Sequence, residues 1–293
     1  MRRKLVKQGK GALTLSLPSR WIREQQLKPG DELIIDERDT DLVLRTEGKK
    51  PAQTTSIELD FMSPEAYRSI LGGLYRGGYD SIEVMFDDRR VLQNLEKAAN
   101  SIYGFEVFYV SEQKCTVRTI YDDENTDISM HIDRMIYTIQ TMQQIIENEL
   151  KAGTRSAEQE LLQLRNNVLK QRDLIVRVIR KKRLLGNDAF PYYTISLSLW
   201  GAARNYHHMY ADLAGKQKVE ILEKTNRYFR DSFKKIRSMD MDDYLARHKR
   251  YTEVYKTCTD KLEGNPLASY CMSIVLQVQL ADSSIFLLNH RDQ

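Results

Sequence analysis

Cysteine is scarce in this chain. Its three copies among 293 residues, Cys115, Cys258 and Cys271, lie far apart and form no Cys-x-x-Cys pair. This spacing argues against a zinc ribbon and against a secreted disulfide framework, because both need closely spaced cysteines. We therefore expect the three residues to be small buried apolar groups.

Long apolar runs are also missing. The longest, such as residues 274–276 and 285–288, are far shorter than the roughly 18 residues of a membrane span, so we expect no membrane insertion. The basic start of the chain is followed at once by Lys7 and Lys10, which leaves no apolar core for a signal peptide. The sequence thus predicts a cytoplasmic protein.

Acidic residues are nearly absent from the first 28 positions, although the whole chain has 45 basic and 41 acidic residues and a net charge of +4. Glu24 is the single acidic residue there. The basic residues are Arg2, Arg3, Lys4, Lys7, Lys10, Arg20, Arg23 and Lys28. Because the excess charge lies at one end, this segment is the candidate for a negatively charged partner.

The rest of the composition is that of a globular protein, with 41% hydrophobic and 29% charged residues. A chain of this length can bury two or three cores. Turns and apolar periods divide it into three segments, residues 1–46, 56–120 and 126–293.

The first segment predicts the order strand, strand, short helix, strand, strand. Leu13, Leu15 and Leu17 alternate with polar residues, as in a half-buried strand, and Pro18 suits the first turn of a helix. The predicted elements are strands at 4–7, 13–17, 32–36 and 42–45, a helix from 18 to 27, and turns at 9–11, 28–31 and 39–41. Such short strands cannot close a core alone, so we expect two copies to interleave.

Three motifs of this segment resemble the AbrB/MazE swapped-hairpin DNA-binding domain. They are Arg3-Lys4-Leu5-Val6 with Gly9-x-Gly11, then Leu15-Ser16-Leu17-Pro18-x-x-Trp21, then Leu27-Lys28-Pro29-Gly30-Asp31-Glu32-Leu33. The Ser-Leu-Pro-x-x-Trp version is similar to the start of archaeal PhoU-like phosphate uptake regulators. The resemblance covers this segment and implies a β-barrel formed by a homodimer that binds double-stranded DNA.

The second segment predicts a small α+β domain. Ser63-Pro64-Glu65 is typical of a capped helix start and Gly77-Gly78 of a helix stop. The predicted elements are strands at 57–61, 81–86, 105–110 and 116–120, with helices from 63 to 76 and from 88 to 102. A phosphate cradle at Gly77-Gly78 is the weaker alternative, because no Gly-rich loop with a lysine follows. Gly77-Gly78-Tyr79-Asp80-x-Ile82 and Tyr103-Gly104-Phe105-Glu106-Val107 resemble the linking domain of the same archaeal family.

The third segment is helical by the period of its apolar residues. The three stripes are Ile128, Ile132, Met135, Ile139, Met142 and Ile146; Tyr244, His248, Tyr251, Tyr255, Cys258 and Leu262; and Leu267, Tyr270, Ile274, Val278, Ala281, Ile285 and Leu288. Breaks at 153–154, 186–187, 215, 238–240 and 264–266 give six helices in one or two bundles. PhoU domains are likewise built of six helices, in agreement with the resemblance.

The predicted fold class is therefore a multidomain α+β protein. It has an N-terminal AbrB-like swapped-hairpin barrel formed by dimerisation, a small α+β linking domain, and a C-terminal PhoU-like all-α bundle.

Seven N-terminal cations are the candidate DNA contacts: Arg2, Arg3, Lys4, Lys7, Lys10, Arg20 and Arg23. A two-fold barrel would present each of them twice, on a face able to neutralise several phosphates and to place arginines against guanine edges. The alternative is an ordinary solvated charge run. The strand pattern and the resemblance favour DNA.

The acidic metal motifs of PhoU domains are not kept here. Those motifs place Glu and Asp one helical turn apart on one face. In the first resembling stretch Arg165 and Leu169 occupy the acidic positions; in the second Ala203 and His207 do, and only His208 keeps the family residue. We therefore expect no metal site and no cofactor.

Three further clusters have structural interpretations. Adjacent histidines point to different sides of a helix, so we expect His207-His208 with Asp212 to be an ordinary pair and not a metal site. Tyr251 and Tyr255 are expected in the bundle core. The cluster of Arg177, Arg180, Lys181, Lys182 and Arg183 suits a solvated helix C-terminus; the alternative is a second nucleic-acid contact or a docking face for an acidic partner.

No catalytic motif is evident, such as a nucleophile elbow, a phosphate loop or His-Glu-x-x-His. We expect a non-enzymatic, nucleoid-associated transcription regulator whose bundle senses a state or a partner, with a link to phosphate homeostasis by analogy. The alternatives are a sequence-tolerant architectural chromatin protein and a PhoU-type adaptor that controls a transporter or kinase by protein–protein contact. A MazE-like antitoxin fits less well, because those proteins usually follow the barrel with a short disordered tail.

Overall fold

The computed structural model describes residues 2–9, 11–38, 40–46, 52–121, 125–182 and 189–290. The chain separates into two compact units, Met1–Pro51 and Ala52–Gln293, called here the N-terminal unit and the main unit. The main unit holds both the second and the third segments of the sequence.

The N-terminal unit consists of two β-hairpins and a short helix, in the predicted order. Its elements are β1 (Val6–Gln8), β2 (Ala12–Thr14), α1 (Ser19–Glu24), β3 (Leu33–Arg38) and β4 (Asp41–Thr46). Strand β1 pairs with β2 and β3 with β4, both antiparallel. The second strand is shorter than predicted: Leu15 and Leu17 lie beyond it, in the stretch that leads to the extended Pro18 before α1.

The turn at Lys28–Asp31 agrees with the prediction in its details. Gln26 ends the helical turn with a left-handed φ of 55°, and Gly30 has φ 99°. The Asp31 amide donates to the Lys28 carbonyl at 3.1 Å, and the Lys28 amide donates to the Asp31 carboxylate at 2.7 Å. Proline in the second position and glycine in the third are the residues that such a turn favours.

The middle region of the chain is a mixed four-stranded sheet with two helices. Its elements are β5 (Thr54–Glu58), α2 (Pro64–Arg76), β6 (Ser81–Met85), α3 (Arg90–Asn100), β7 (Phe105–Ser111) and β8 (Lys114–Thr119). The strand order is β5-β6-β8-β7, with β5 parallel to β6 and the other pairs antiparallel. Leu71 of α2 and Leu95 of α3 are fully buried in one core with Ile82 and Val84 of the sheet.

Both ends of α2 follow the sequence prediction. The Ser63 hydroxyl accepts a hydrogen bond from the Ala66 amide at 3.3 Å and caps the first turn. The helix ends at Arg76, and Gly78 takes a left-handed φ of 89° that other residues adopt only with strain. The predicted helix stop at Gly77-Gly78 is confirmed.

The C-terminal part is a bundle of six helices, as predicted. They are α4 (Ile128–Ala152), α5 (Glu158–Lys182), α6 (Phe190–Asp212), α7 (Glu220–Lys234), α8 (Met241–Thr259) and α9 (Pro266–Asn289). Every member of the predicted α4 stripe is buried. The predicted break at 186–187 lies outside the described residues.

The predicted core stripe of α8 is confirmed in part, since Tyr244, Tyr251 and Tyr255 pack against the core that contains Cys258. Cys258 is buried, but Tyr251 and Tyr255 are only half-buried and His248 is exposed. The reason is position, since α8 packs against α7 and α9 and leaves its other side to solvent. All three cysteines are buried, which confirms that expectation.

The short apolar runs of the sequence predict no membrane insertion. Helix α9 is nevertheless long and apolar enough to cross a membrane by length and composition alone. In the structure it packs against α6, α7 and α8. Its Asp282 is buried, with Oδ1 3.5 Å from Nη1 of Arg247, and burial raises the pKa of Asp282 to about 6. These contacts are those of a core helix of the bundle.

The basic cluster at the end of α5 is not a solvated terminus, which corrects that interpretation. Arg177 is fully buried; it donates to the carbonyls of Tyr75 at 3.1 Å and Tyr79 at 2.6 Å, and it also pairs with the Asp80 carboxylate. Lys181 donates to the same carboxylate at 2.7 Å. Lys182 donates to the Thr126 carbonyl at 2.9 Å, Arg180 is exposed, and Arg183 lies outside the described residues. These bonds join α5 to the middle region.

Candidate nucleic-acid interface

The cations proposed to contact DNA lie around the first hairpin and α1. Arg2, Arg3 and Lys4 precede β1, Lys7 is in β1, and all four are exposed. Lys10 lies outside the described residues. The first hairpin is held by β1–β2 pairing and by the Thr14 hydroxyl, which donates to the Val6 carbonyl at 3.2 Å. The first four cations thus precede the hairpin turn in the chain and are all exposed to solvent.

The two arginines of α1 differ in their surroundings. Arg20 donates to Glu24 one turn later, with Nε and Oε1 2.7 Å apart, and this hydrogen bond raises the pKa of Arg20. Arg23 is exposed in the last turn of the same helix. Since Glu24 offsets part of the charge of Arg20, Arg23 is the better placed of the two to meet a phosphate.

Lys7 has a mixed environment. It lies directly opposite Leu13 across the hairpin, so both side chains are on the same face. Leu13 is 63% exposed in the single chain. Any partner surface that covers Leu13 would also lie beside Lys7. Arg2, Arg3 and Lys4 precede the strand and therefore lie outside this pairing.

The second hairpin presents an apolar face. Leu33 and Ile35 alternate along β3, and Leu42 and Leu44 of β4 lie on the same face by register, with Ile35 paired to Leu44. Ile35 is 59% and Leu42 is 66% exposed. The alternation is visible in the sequence and predicts strands, whereas the apolar surface depends on how the two strands pair.

Among the described residues of the N-terminal unit, none is buried. A folded unit of this size normally covers its apolar side chains, because each fully buried leucine or isoleucine contributes roughly 1.5–3 kcal/mol. Here a single copy leaves them open. The unit is therefore incomplete as one chain.

The two histidines in α6 do not form a cluster with metal-ligand geometry. Their rings are 5.9 Å apart and nearly perpendicular, and Asp212 accepts a hydrogen bond from the Tyr270 hydroxyl. Burial lowers the pKa of His207, and the charge of Arg165 and the neighbouring His208 lower it further. Across the described ranges, no group of three or more His, Cys, Asp or Glu side chains could hold a metal ion. The expectation that the protein has no metal stays a prediction.

Comparison with known proteins gives a family match in the N-terminal part of the chain. Residues 6–52 match the MazE family, described as "Antidote-toxin recognition MazE, bacterial antitoxin". The match contains both hairpins and α1, and it begins after Arg2, Arg3 and Lys4. Neither the curated proteins nor the solved structures contain a significant match to the chain. The N-terminal part is thus a MazE/AbrB-type domain, and such a domain implies DNA binding, as in antitoxins and regulators, and suggests dimerisation.

Proposed function

We propose that the protein is a homodimeric, DNA-binding transcription regulator, in which two N-terminal units interleave their hairpins into one barrel. The main unit would sense a state or bind a partner protein. The protein would be cytoplasmic, nucleoid-associated and without catalytic activity.

The observation that carries the proposal is the exposed apolar face of the second hairpin in a domain of the MazE type. A second copy would cover Leu33, Ile35, Leu42 and Leu44 and supply the core that one copy lacks. A dimer would also present each cation twice. Spaced cations on a two-fold body suit the repeating phosphates of duplex DNA.

The proposed role of the bundle rests on a resemblance and on the number of its helices. The resemblance of the N-terminal motif to archaeal PhoU-like regulators suggests phosphate homeostasis, and the six helices α4–α9 agree with it in number. An adaptor that controls a transporter or kinase through this bundle is the alternative. In that case the N-terminal unit would serve mainly to dimerise.

A toxin-neutralising protein is the second candidate, and the description of the matching family favours it. In such a protein the segment after the barrel would cover the toxin. Here that segment is a packed unit from Ala52 to Gln293 with its own core, so toxin binding would use a folded surface and not a short tail.

The test is a fluorescence-anisotropy titration of the full chain on its own promoter and on a scrambled duplex of equal length, at two salt concentrations. We compare the wild type with Arg3→Ala/Lys4→Ala/Arg23→Ala. The control is Lys224→Ala/Lys249→Ala/Lys256→Ala, which removes the same charge from the bundle.

We expect binding that prefers the promoter, weakens steeply with salt, and falls about tenfold or more in the N-terminal variant while the control binds as the wild type. Equal affinity for both duplexes would favour the architectural alternative. Absence of binding to either duplex would reject the regulator and leave the adaptor or the toxin-neutralising protein.

A further inference from the structure

Three arginines surround one buried carboxylate where α2 meets α5. The side chain of Asp173 is fully buried; its Oδ2 lies 2.5 Å from Nη2 of Arg68, and its Oδ1 lies 3.0 Å from Nη1 of Arg76 and 2.9 Å from Nη2 of Arg172. Within the described ranges, Asp173 supplies the only carboxylate in ion-pair distance of these arginines. The three guanidinium groups thus exceed their partner by two positive charges.

A fourth cation, Lys170, lies close to the three arginines and adds to the excess of positive charge. Lys170 donates to the Asn100 carbonyl at 2.8 Å; burial lowers its pKa, and the charge of Arg68 lowers it further. Burial lowers the pKa of Arg172; the charge of Asp173 opposes this effect, and the charges of Arg76 and Arg68 add to it. Its Nε atom is buried and has no hydrogen-bond partner among the described residues. Partly buried like charges repel one another, and an anion in addition to Asp173 would offset the remaining excess of positive charge.

The backbone of α2 makes room for the cluster at Gly72. A Cβ atom there would lie 2.3 Å from Nη1 of Arg68 and 3.2 Å from Nη1 of Arg76, so both guanidinium groups occupy the space of the missing side chain. A Cβ at the next residue, Gly73, would meet nothing within 4 Å. Glycine inside a helix lowers the stability of the helix by about 1 kcal/mol relative to alanine. At position 72 a larger residue would displace the arginine side chains, which explains the glycine.

The cluster remains partly open to solvent. The side chains of Arg68, Arg76 and Arg172 are 16%, 31% and 18% exposed. Guanidinium groups are planar forks that donate two parallel hydrogen bonds to an oxyanion, and they keep their charge at any physiological pH. Three of them with an excess of two charges match a small dianion.

We propose that Arg68, Arg76 and Arg172 form a binding site for a small dianionic oxyanion, either inorganic phosphate or the phosphoryl group of a nucleotide. Asp173 holds the three arginines in place through its ion pairs. Gly72 leaves the space that the guanidinium groups of Arg68 and Arg76 occupy. The site lies wholly in the main unit and does not depend on DNA binding.

The experiment is isothermal titration calorimetry of the full chain with inorganic phosphate and, separately, with ATP, at constant ionic strength in chloride. We expect saturable binding with a Kd below about 1 mM for at least one of them. Gly72→Ala keeps every charge but displaces Nη1 of Arg68, and it should weaken binding about tenfold or more, as expected for the loss of one charge-assisted hydrogen bond. Gly73→Ala is the matched control and should bind as the wild type.

The two ligands distinguish the two sources. Tighter binding of phosphate would identify the free ion, and tighter binding of ATP would identify a nucleotide; both would support the site. A thermal unfolding midpoint of Gly72→Ala at or above that of the wild type would show that the variant is folded. Binding only above about 10 mM, which means an adventitious ion only, or equal affinity in Gly72→Ala and the wild type, would overturn the proposal.

Discussion

The two units of the molecule differ in how they bury apolar surface. The main unit closes its own core, in which Leu71, Met135 and Phe229 are fully buried. In the N-terminal unit, no described residue is buried, and Ile35 and Leu42 are largely exposed. We therefore expect the main unit to fold by itself and the N-terminal unit to need a second copy. The stability of the first is then independent of protein concentration, and that of the second is not.

The largest effect is expected at the junction inside the main unit. Arg177→Met removes a fully buried guanidinium, so the carbonyls of Tyr75 and Tyr79 each lose one hydrogen bond and the Asp80 carboxylate loses one of its cations. Breaking a buried pair of this kind costs about 3–5 kcal/mol in the free energy of unfolding. Urea denaturation followed by circular dichroism measures it, at several protein concentrations.

Arg180→Met is the control for this substitution. Arg180 is exposed on the same helix, so the change should alter the free energy of unfolding by less than about 0.5 kcal/mol. A similar loss for both variants, or a loss that varies with protein concentration, would contradict the view of a self-sufficient main unit.

A smaller effect, which depends on protein concentration, is expected in the N-terminal unit. Ile35→Asp places a charge on the apolar face of the second hairpin, where we expect the partner copy to pack. The dimer should dissociate about 100-fold more readily, because an unpaired charge would be desolvated in the interface. Sedimentation equilibrium measures the dissociation constant, and the unfolding of the main unit should not change.

Ile34→Asp sharpens this test, because Ile34 is the neighbouring residue on the opposite face of the same strand. We expect it to weaken the dimer less than Ile35→Asp does. Equal weakening would mean that both faces of the hairpin are covered in the dimer, and no weakening by either would reject dimerisation through this face.

The smallest effect concerns a carboxylate of the main unit. Glu149 of α4 accepts hydrogen bonds at the start of α5, from the Ser156 hydroxyl at 2.6 Å and amide at 2.7 Å, and from the Tyr210 hydroxyl at 2.5 Å. These bonds, first those of Ser156, lower the pKa of Glu149 to about 2 from its usual 4.5. Because the pKa is lower in the folded state, the stabilisation is present above pH 4.5 and is lost as the pH falls towards 2.

Glu149→Gln should therefore cost about 1–2 kcal/mol at pH 7, after allowance for solvent screening. The difference from the wild type should shrink as the pH falls from 4.5 towards 2. Glu160→Gln, at an exposed position in the first turn of α5, serves as the control and should change little at any pH. A loss at Glu149 that stays constant down to pH 2 would contradict the assignment.

Local signals were sufficient to predict most elements. Ser63 before Pro64 predicts the start of α2, Lys28-Pro29-Gly30-Asp31 predicts a turn, and the period of Ile132, Met135 and Ile139 predicts a buried face of α4. Each of these patterns acts within one or two helical turns, or within four residues of a turn. Prediction from sequence is therefore strongest where the residues that determine an element lie within that element or directly beside it in the chain.

The errors come from contacts between distant parts of the chain. The partner of Arg177, Asp80, lies 97 residues earlier, so nothing near the basic cluster indicated that it would be buried. The same holds for Arg68 and Asp173, which are 105 residues apart. The aromatic period of α8 is genuine, but only packing decides that this helix lies at the edge of the bundle. For the DNA interface, the sequence offers the cations but not their arrangement in a dimer.

Helix α5 is attached to the middle region at several points along its length, beginning with Lys170 at the end of α3. Asp173 contacts arginines of α2, and Arg177, one turn later and about 6 Å along the axis, contacts the residues after α2. A helix attached to its neighbour at a single point can rotate about that point, whereas a helix attached at several points along its axis keeps its orientation. We therefore expect the middle region and α5 to move together, so that a change in the bundle that tilts α5 would also tilt the four-stranded sheet.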